Sequence, residues 1–176
     1  HTVLRRAYES GLAVITPHPA AHARWADKRL LAWLGDDELL QRAGLDVDDR
    51  SHLRQTIPAT EVVEPAAADD LWQRRKSLFF KPVDGFGSKA AYRGDKLTRT
   101  TFEHILAHRY VAQTLAPTSF RRIHSADGAE ADLRVDVRNY ALHGATWLRA
   151  ARLYRGQTTN FRTVGGGFAP VLTLPA

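Results

Sequence analysis

Apolar positions in the first part of the chain recur mostly at helical spacing. Leu4 to Ser10 has the pattern of a helix end, and Leu12 to Ile15 that of a short buried strand ahead of the loop Thr16-Pro17-His18-Pro19. From Ala20, the residues Ala23, Trp25, Ala26, Leu30, Leu31 and Leu34 recur at helical spacing, which predicts a helix stopped by Gly35 and a new cap at Asp36. Two short helices are predicted over Asp37 to Ala43 and Asp48 to Gln55. Ile57 to Val63 predicts a turn into an extended segment, because Pro58 disfavours helix at the residue before it and β-branched residues follow. A helix over Ala66 to Arg75 covers that segment. Leu78 to Val83 predicts a buried strand, Asp84 to Ser88 a tight turn and Lys89 to Tyr92 a second extended stretch, so glycines join two strands. Thr100 to His108 predicts a helix and Tyr110 to Gln113 a strand.

Beyond Pro117 the period changes to two. The pattern predicts a β-meander with turns at Asp127-Gly128 and His143-Gly144. Arg134, Asp136 and Arg138 alternate with Val135, Val137 and Asn139, which puts charge on one strand face. Such a row is either a ligand wall or a solvated sheet face. Helices and antiparallel strands together define an α+β chain.

Composition narrows the function classes. The chain has 176 residues, 44% hydrophobic and 25% charged, enough to bury a core without disulfides or a structural metal. With no cysteine, a disulfide scaffold, a Cys-ligated metal and a thiol nucleophile are excluded. No apolar stretch has bilayer-spanning length and no signal segment opens the chain, so a cytoplasmic location is the expectation. Methionine is absent even at position 1, so the chain is expected to be part of a longer polypeptide. The net charge is +6 and arginine supplies 20 of the 25 cations. Arginine forks onto phosphate or carboxylate, so the excess points to anionic partners; a base-composition bias of the genome would produce the same excess.

The most informative segment is Phe79-Phe80-Lys81-Pro82-Val83-Asp84-Gly85-Phe86-Gly87-Ser88-Lys89-Ala90. Glycines let backbone N–H groups approach an anion, successive amides in a turn form a concave phosphate site, and a lysine before the turn adds a fixed charge. A Walker A loop needs four residues between its glycines and Gly-Lys before Ser or Thr, which this segment lacks. The dinucleotide pattern must open a helix, and Tyr92 and Gly94-Asp95 argue against one. What remains is a glycine flap between antiparallel strands, with an ordinary hairpin turn as the alternative.

This run resembles the small-lobe glycine loop of the ATP-grasp ligase superfamily. Other elements follow in the same order: Ala26-Asp27-Lys28 on a helix, Ile57-Pro58-Ala59-Thr60 before a strand, Val111 to Pro117 like a hinge strand, and Asp132-Leu133-Arg134-Val135 like an Asp-x-Arg strand. Ala151-Arg152-Leu153-Tyr154, Thr159-Asn160-Phe161-Arg162 and Gly165-Gly166-Gly167 are similar to the reaction-centre segment of glutathione synthetase-like members. The resemblance implies a two-lobed ATP-grasp-like α+β fold, with a helical N-terminal segment and one short strand at 1–57. The small lobe would occupy 58–110, and the hinge strand with an incomplete second lobe 111–176. It also implies ATP and Mg²⁺ as cofactors. Lys28 and Lys81 would bind the phosphates, Gly85, Phe86, Gly87 and Ser88 would cap them, and Gln113, Thr114 and Leu115 would meet adenine. Asp132 would contact the nucleotide, while Arg134, Arg152 and Asn160 would serve the reacting group. For Lys28 a helix-surface lysine, for Arg152 a strand ion pair and for Asn160 a turn residue are the alternatives.

The implied activity is ADP-forming carboxylate–amine ligation through an acyl phosphate, with small carboxylate and amine substrates. One departure stands out: the Glu-x-Asn metal strand that follows the glycine-rich segment in this superfamily is missing, so the metal ligands are unknown. Either the sequence is cut short or it resembles the circularly permuted proteins related to glutathionylspermidine synthase. The run Gly167 to Leu172 looks similar to the end of such permuted proteins, and the lack of an initiator at His1 makes permutation the expectation, with the rest of the polypeptide upstream of His1 as a partner. A different class, an Arg-rich nucleic-acid-binding domain, draws on Arg121, Arg122, Arg138 and Arg162. Dispersed cations and the lack of an aromatic-plus-basic stripe speak against nucleic acid. A third reading is an inactive ATP-binding fragment. The pairs His18/His22 and His104/His108 have helical metal spacing without the rest of a zinc motif.

Overall fold

The computed structural model describes residues 1–124, 130–156 and 165–172. The chain is α+β, with two four-stranded antiparallel sheets among the described residues, and it divides into two units, 1–115 and 116–176.

The first unit opens with α1 (Thr2–Glu9), α2 (Pro19–Trp25), α3 (Leu30–Trp33), α4 (Asp37–Arg42) and α5 (Val47–Thr56). Asp36 and Asp46 cap α4 and α5 by accepting from the backbone N–H of Leu39 and Asp49. Two expectations are corrected here. Leu12 to Ile15 is not a buried strand: Leu12 and Val14 are 84% and 97% exposed. The N–H groups of Gly11 and Leu12 instead close α1 by donating to the carbonyls of Tyr8 and Ala7, and Gly11 takes the positive φ that this closure needs. The periodicity from Ala20 to Leu34 also does not give one helix. The Asp27 carboxylate accepts from the Arg29 N–H at 2.8 Å, and this local bond breaks the helix between Trp25 and Leu30.

The first sheet follows, with β1 (Thr60–Val62), β2 (Leu78–Pro82), β3 (Tyr92–Arg93) and β4 (Tyr110–Thr114) in the order β1-β4-β2-β3. Helices α6 (Ala68–Arg74) and α7 (Arg99–Leu106, capped by Thr98) supply Leu71, Phe102 and Ile105 to the core. They pack with Val63, Leu78, Phe80, Tyr110 and Ala112, all from one face of the sheet and its extension. By strand alternation, Thr60, Phe79, Lys81, Val111 and Gln113 belong to the other face. The strand beginning at 111, expected to open the second lobe, is thus a central strand of the first unit, because its apolar residues complete that core.

The second unit is a meander of β5 (Ser119–His124), β6 (Glu130–Leu142), β7 (Ala145–Tyr154) and β8 (Gly167–Pro170), in sequential order. His143 and Gly144, at φ 50° and 77°, form the two-residue hairpin turn between Leu142 and Ala145. The turn anticipated at Asp127-Gly128 lies outside the described residues.

In the first unit, the short 3-10 turns at 75–77 and 94–96 meet at Gly94. A Cβ there would sit 1.8 Å from the Arg75 carbonyl oxygen. Gly94→Ala is expected to lower stability by about 1–3 kcal/mol through overpacking. An unchanged urea midpoint would show that the two turns separate at little cost.

Candidate functional site

Three segments of the first unit build the site. Strand β2 runs into a loop at 83–91, which is longer than the predicted tight turn because pairing with β3 starts only at Tyr92. Gly85, Gly87, Ser88 and Ala90 all have positive φ, which keeps 88–91 from extending as a strand. Gly85 to Lys89 are exposed, and Phe86 is 84% exposed at the tip. Among the described residues, the amides of Gly85, Phe86, Gly87 and Ser88 donate to no backbone carbonyl. The far end of the loop is tied by the Tyr110 hydroxyl, which donates to the Ala90 carbonyl at 3.0 Å.

Lys28 ties the near end. It sits in the break between α2 and α3 rather than on a helix. Its backbone N–H donates to the Val83 carbonyl at 3.2 Å, and its ammonium reaches the carbonyls of Gly85 at 3.0 Å and Val83 at 3.4 Å. The flanking residues brace this contact. Asp27 holds Arg29 at 2.5 Å and meets Arg109 at 3.6 Å, while Arg109 also reaches Asp84 at 3.4 Å. The Arg29 guanidinium, bonded to Asp27, is the main reason that this carboxyl lies below its ordinary pKa.

Lys81 completes the cation pair. Its ammonium donates to Gln113 Oε1 at 2.5 Å, Gln113 Nε2 donates to Thr60 Oγ1 at 2.9 Å, and that hydroxyl donates to the Pro58 carbonyl at 2.8 Å. This relay crosses three strands and orients the amide of Gln113, which is only 8% exposed. Burial, and after it the neighbouring Lys28 charge, push the Lys81 ammonium below its ordinary pKa of 10.5. Among the described residues, neither lysine has a carboxylate partner. Two nearby ammonium groups facing only neutral oxygens, beside a run of unengaged amides, can hold an anion with several charges.

The other predicted site residues divide between the two units. The backbone N–H groups of Thr114 and Leu115 are engaged by the carbonyls of Ala59 and Ser77, which narrows the expected adenine contact there to acceptors and the Gln113 side chain. In the second unit, Asp132, Arg134 and Asp136 share a face of β6, as the alternation predicts. Asp132 pairs with Arg122 across β5 at 3.1 Å, and Arg152 with Asp136 across β6 and β7 at 2.5 Å. Arg134 donates to Thr118 Oγ1 at 2.7 Å and lies 5.0 Å over the Phe120 ring. Asn160 and Arg162 lie outside the described residues.

Thr60, Asp84 and Arg109 take part without having been singled out. The side chain of Asp27, one residue before Lys28, was the readable signal for a local turn. Nothing in the local pattern marks Arg109, whose partners are 25 and 82 positions away. Among the described residues, no group of three or more His, Asp or Glu converges to hold a metal ion. His104 and His108 stack at 4.0 Å, with His108 Nδ1 against the His104 carbonyl, and His18 meets the Tyr8 hydroxyl at 3.1 Å. No described helix is long and apolar enough to cross a membrane. No family model, curated protein or solved structure matches the chain.

Two outcomes are expected. Lys28→Met removes the ammonium contacts to the loop and should speed tryptic cleavage at Lys89; an unchanged rate would mean that Lys28 does not restrain the loop. For Lys81, the unfolded chain holds a proton that the folded chain releases between the lowered folded value and 10.5. Stability of the free protein should therefore rise with pH through that window, with the contribution complete above 10.5 and lost as pH falls through the folded value. Melting temperature against pH checks this, and Lys81→Met should flatten the rise.

Proposed function

We propose that the first unit is the phosphate-binding lobe of an ATP-dependent carboxylate–amine ligase of ATP-grasp type. The observation that carries the proposal is the contact of the Lys28 ammonium with Gly85 in an exposed glycine loop, with Lys81 on the strand that leads into that loop and no carboxylate partner for either lysine among the described residues. A buried or half-buried cation without a counter-charge is costly, and a bound polyphosphate supplies the missing charge. The loop amides add donors, and Phe86 adds an apolar side chain at the tip.

In the proposed reaction, a substrate carboxylate oxygen attacks the γ-phosphorus of ATP, giving an acyl phosphate and ADP. An amine then attacks the acyl carbon and expels phosphate, leaving an amide. The chain's part is to hold the triphosphate and offset its charge, since phosphoryl transfer depends chiefly on positioning and electrostatics. Lys28 and Lys81 bind phosphate oxygens, and amides 85–88 cap them.

Isothermal titration with ATP tests the nucleotide site. Lys81→Ala should weaken binding by roughly 10- to 100-fold, the equivalent of one charge-assisted hydrogen bond of about 1.5–3 kcal/mol. Equal affinity in both proteins removes Lys81 from the site, and absence of ATP binding by the parent protein overturns the reading.

A further inference from the structure

We infer that the first unit carries a second anion-binding surface, built around Trp72 on the helical side of its sheet, whose partner is the phosphodiester backbone of a nucleic acid. The guanidinium carbons of Arg75 and Arg99 lie 3.8 Å and 3.9 Å from the Trp72 ring centroid. Arg75 is fixed further by a 2.7 Å bond from Nη1 to the Trp72 carbonyl. Close packing of the turns at 75–77 and 94–96 through Gly94 adds Lys76 and Lys96, both exposed. Residues dispersed over 72–99 in sequence thus gather into one aromatic-plus-basic cluster.

Charge balance sets this cluster apart from its surroundings. Arg74 is neutralised by Glu61 and Asp70, and Arg93 by Asp95. Among the described residues, Arg75, Lys76, Lys96 and Arg99 have no carboxylate partner. Stacking on the indole orders the two guanidinium groups before any partner arrives, which lowers the entropy cost of binding.

The form of the surface selects the partner. It is open, so a small anion would find no enclosure, whereas a polymeric anion gains from releasing counterions at each cation. Trp72 is also packed against Phe102 at 5.1 Å, so its ring is taken and no free aromatic face reads a base. Binding is therefore to the backbone and indifferent to sequence. No large apolar side chain is exposed on these segments to enter a bilayer. An acidic polypeptide would need an apolar or strand-pairing surface beside the charges, and these segments expose no large apolar side chain.

The test is fluorescence anisotropy with a labelled mixed-sequence oligonucleotide across a salt series. Lys76→Gln/Lys96→Gln changes two exposed residues outside the core, and should reduce the slope of log affinity against log salt by about two, one per lost phosphate contact. Arg75→Lys and Arg99→Lys keep the charge but lose the planar stack, and should weaken binding with little change in slope. Scrambling the oligonucleotide should have no effect. Lys81→Ala should leave oligonucleotide binding intact, and Lys76→Gln/Lys96→Gln should leave ATP titration intact, which separates this surface from the nucleotide site. Unchanged oligonucleotide binding and slope in Lys76→Gln/Lys96→Gln, or preferential binding to polyglutamate or to phosphatidylserine vesicles, overturns the inference.

Discussion

Phe80 and Lys81 are consecutive on β2 and must leave the backbone on opposite faces. Burying Phe80 with Leu71, Phe102 and Ile105 therefore commits Lys81 to the face that the helical core does not use. The same alternation on β4 sends Tyr110 and Ala112 into the core and Gln113 toward Lys81. Full burial of a side chain such as Phe80 contributes about 1.5–3 kcal/mol. A one-residue slip of β2 against its neighbours would forfeit that burial and carry the ammonium into the core at the same time. Register, core and cation are thus set together.

Lys28 reaches the site by a different route. A helix continued from Ala20 to Leu34 would bind its backbone N–H groups internally. Asp27 takes the Arg29 N–H instead, and the freed Lys28 N–H goes to Val83, where the loop begins. The glycine loop is consequently anchored at both ends, by Lys28 at Gly85 and by Tyr110 at Ala90, with its exposed tip between them. A rigid stem with an unengaged middle is the arrangement in which local opening costs least where a ligand must enter.

What could be read from the sequence follows the range of the forces involved. Periodicity gave β2, α7, β4 and the meander, because alternation and helical spacing are local consequences of which face is buried. Lys81 and the glycines stood out for the same reason, since they interrupt an apolar run. The Leu12 to Ile15 stretch misleads because β-branched and apolar residues alone do not make a strand; a partner strand is required, and a closing helix end claims the backbone first. The Asp27 break was visible only as the start of a polar run, Asp27-Lys28-Arg29, within a helical pattern. The relay to Gln113 and Thr60 joins residues 32 and 53 positions apart, and the bridge from Arg109 to Asp84 and Asp27 is likewise a product of sheet order. Short-range patterning carries no information about such partners.

Position 113 also governs how strongly the site can attract anything. An amide donates through one end and accepts through the other, and the bond to Thr60 turns the accepting end toward the ammonium. A neutral acceptor steadies Lys81 without cancelling it. An acid of nearly the same shape at 113 would form an internal ion pair and cancel the Lys81 charge, leaving Lys28 as the one uncompensated ammonium of the pair even though every strand stayed in place.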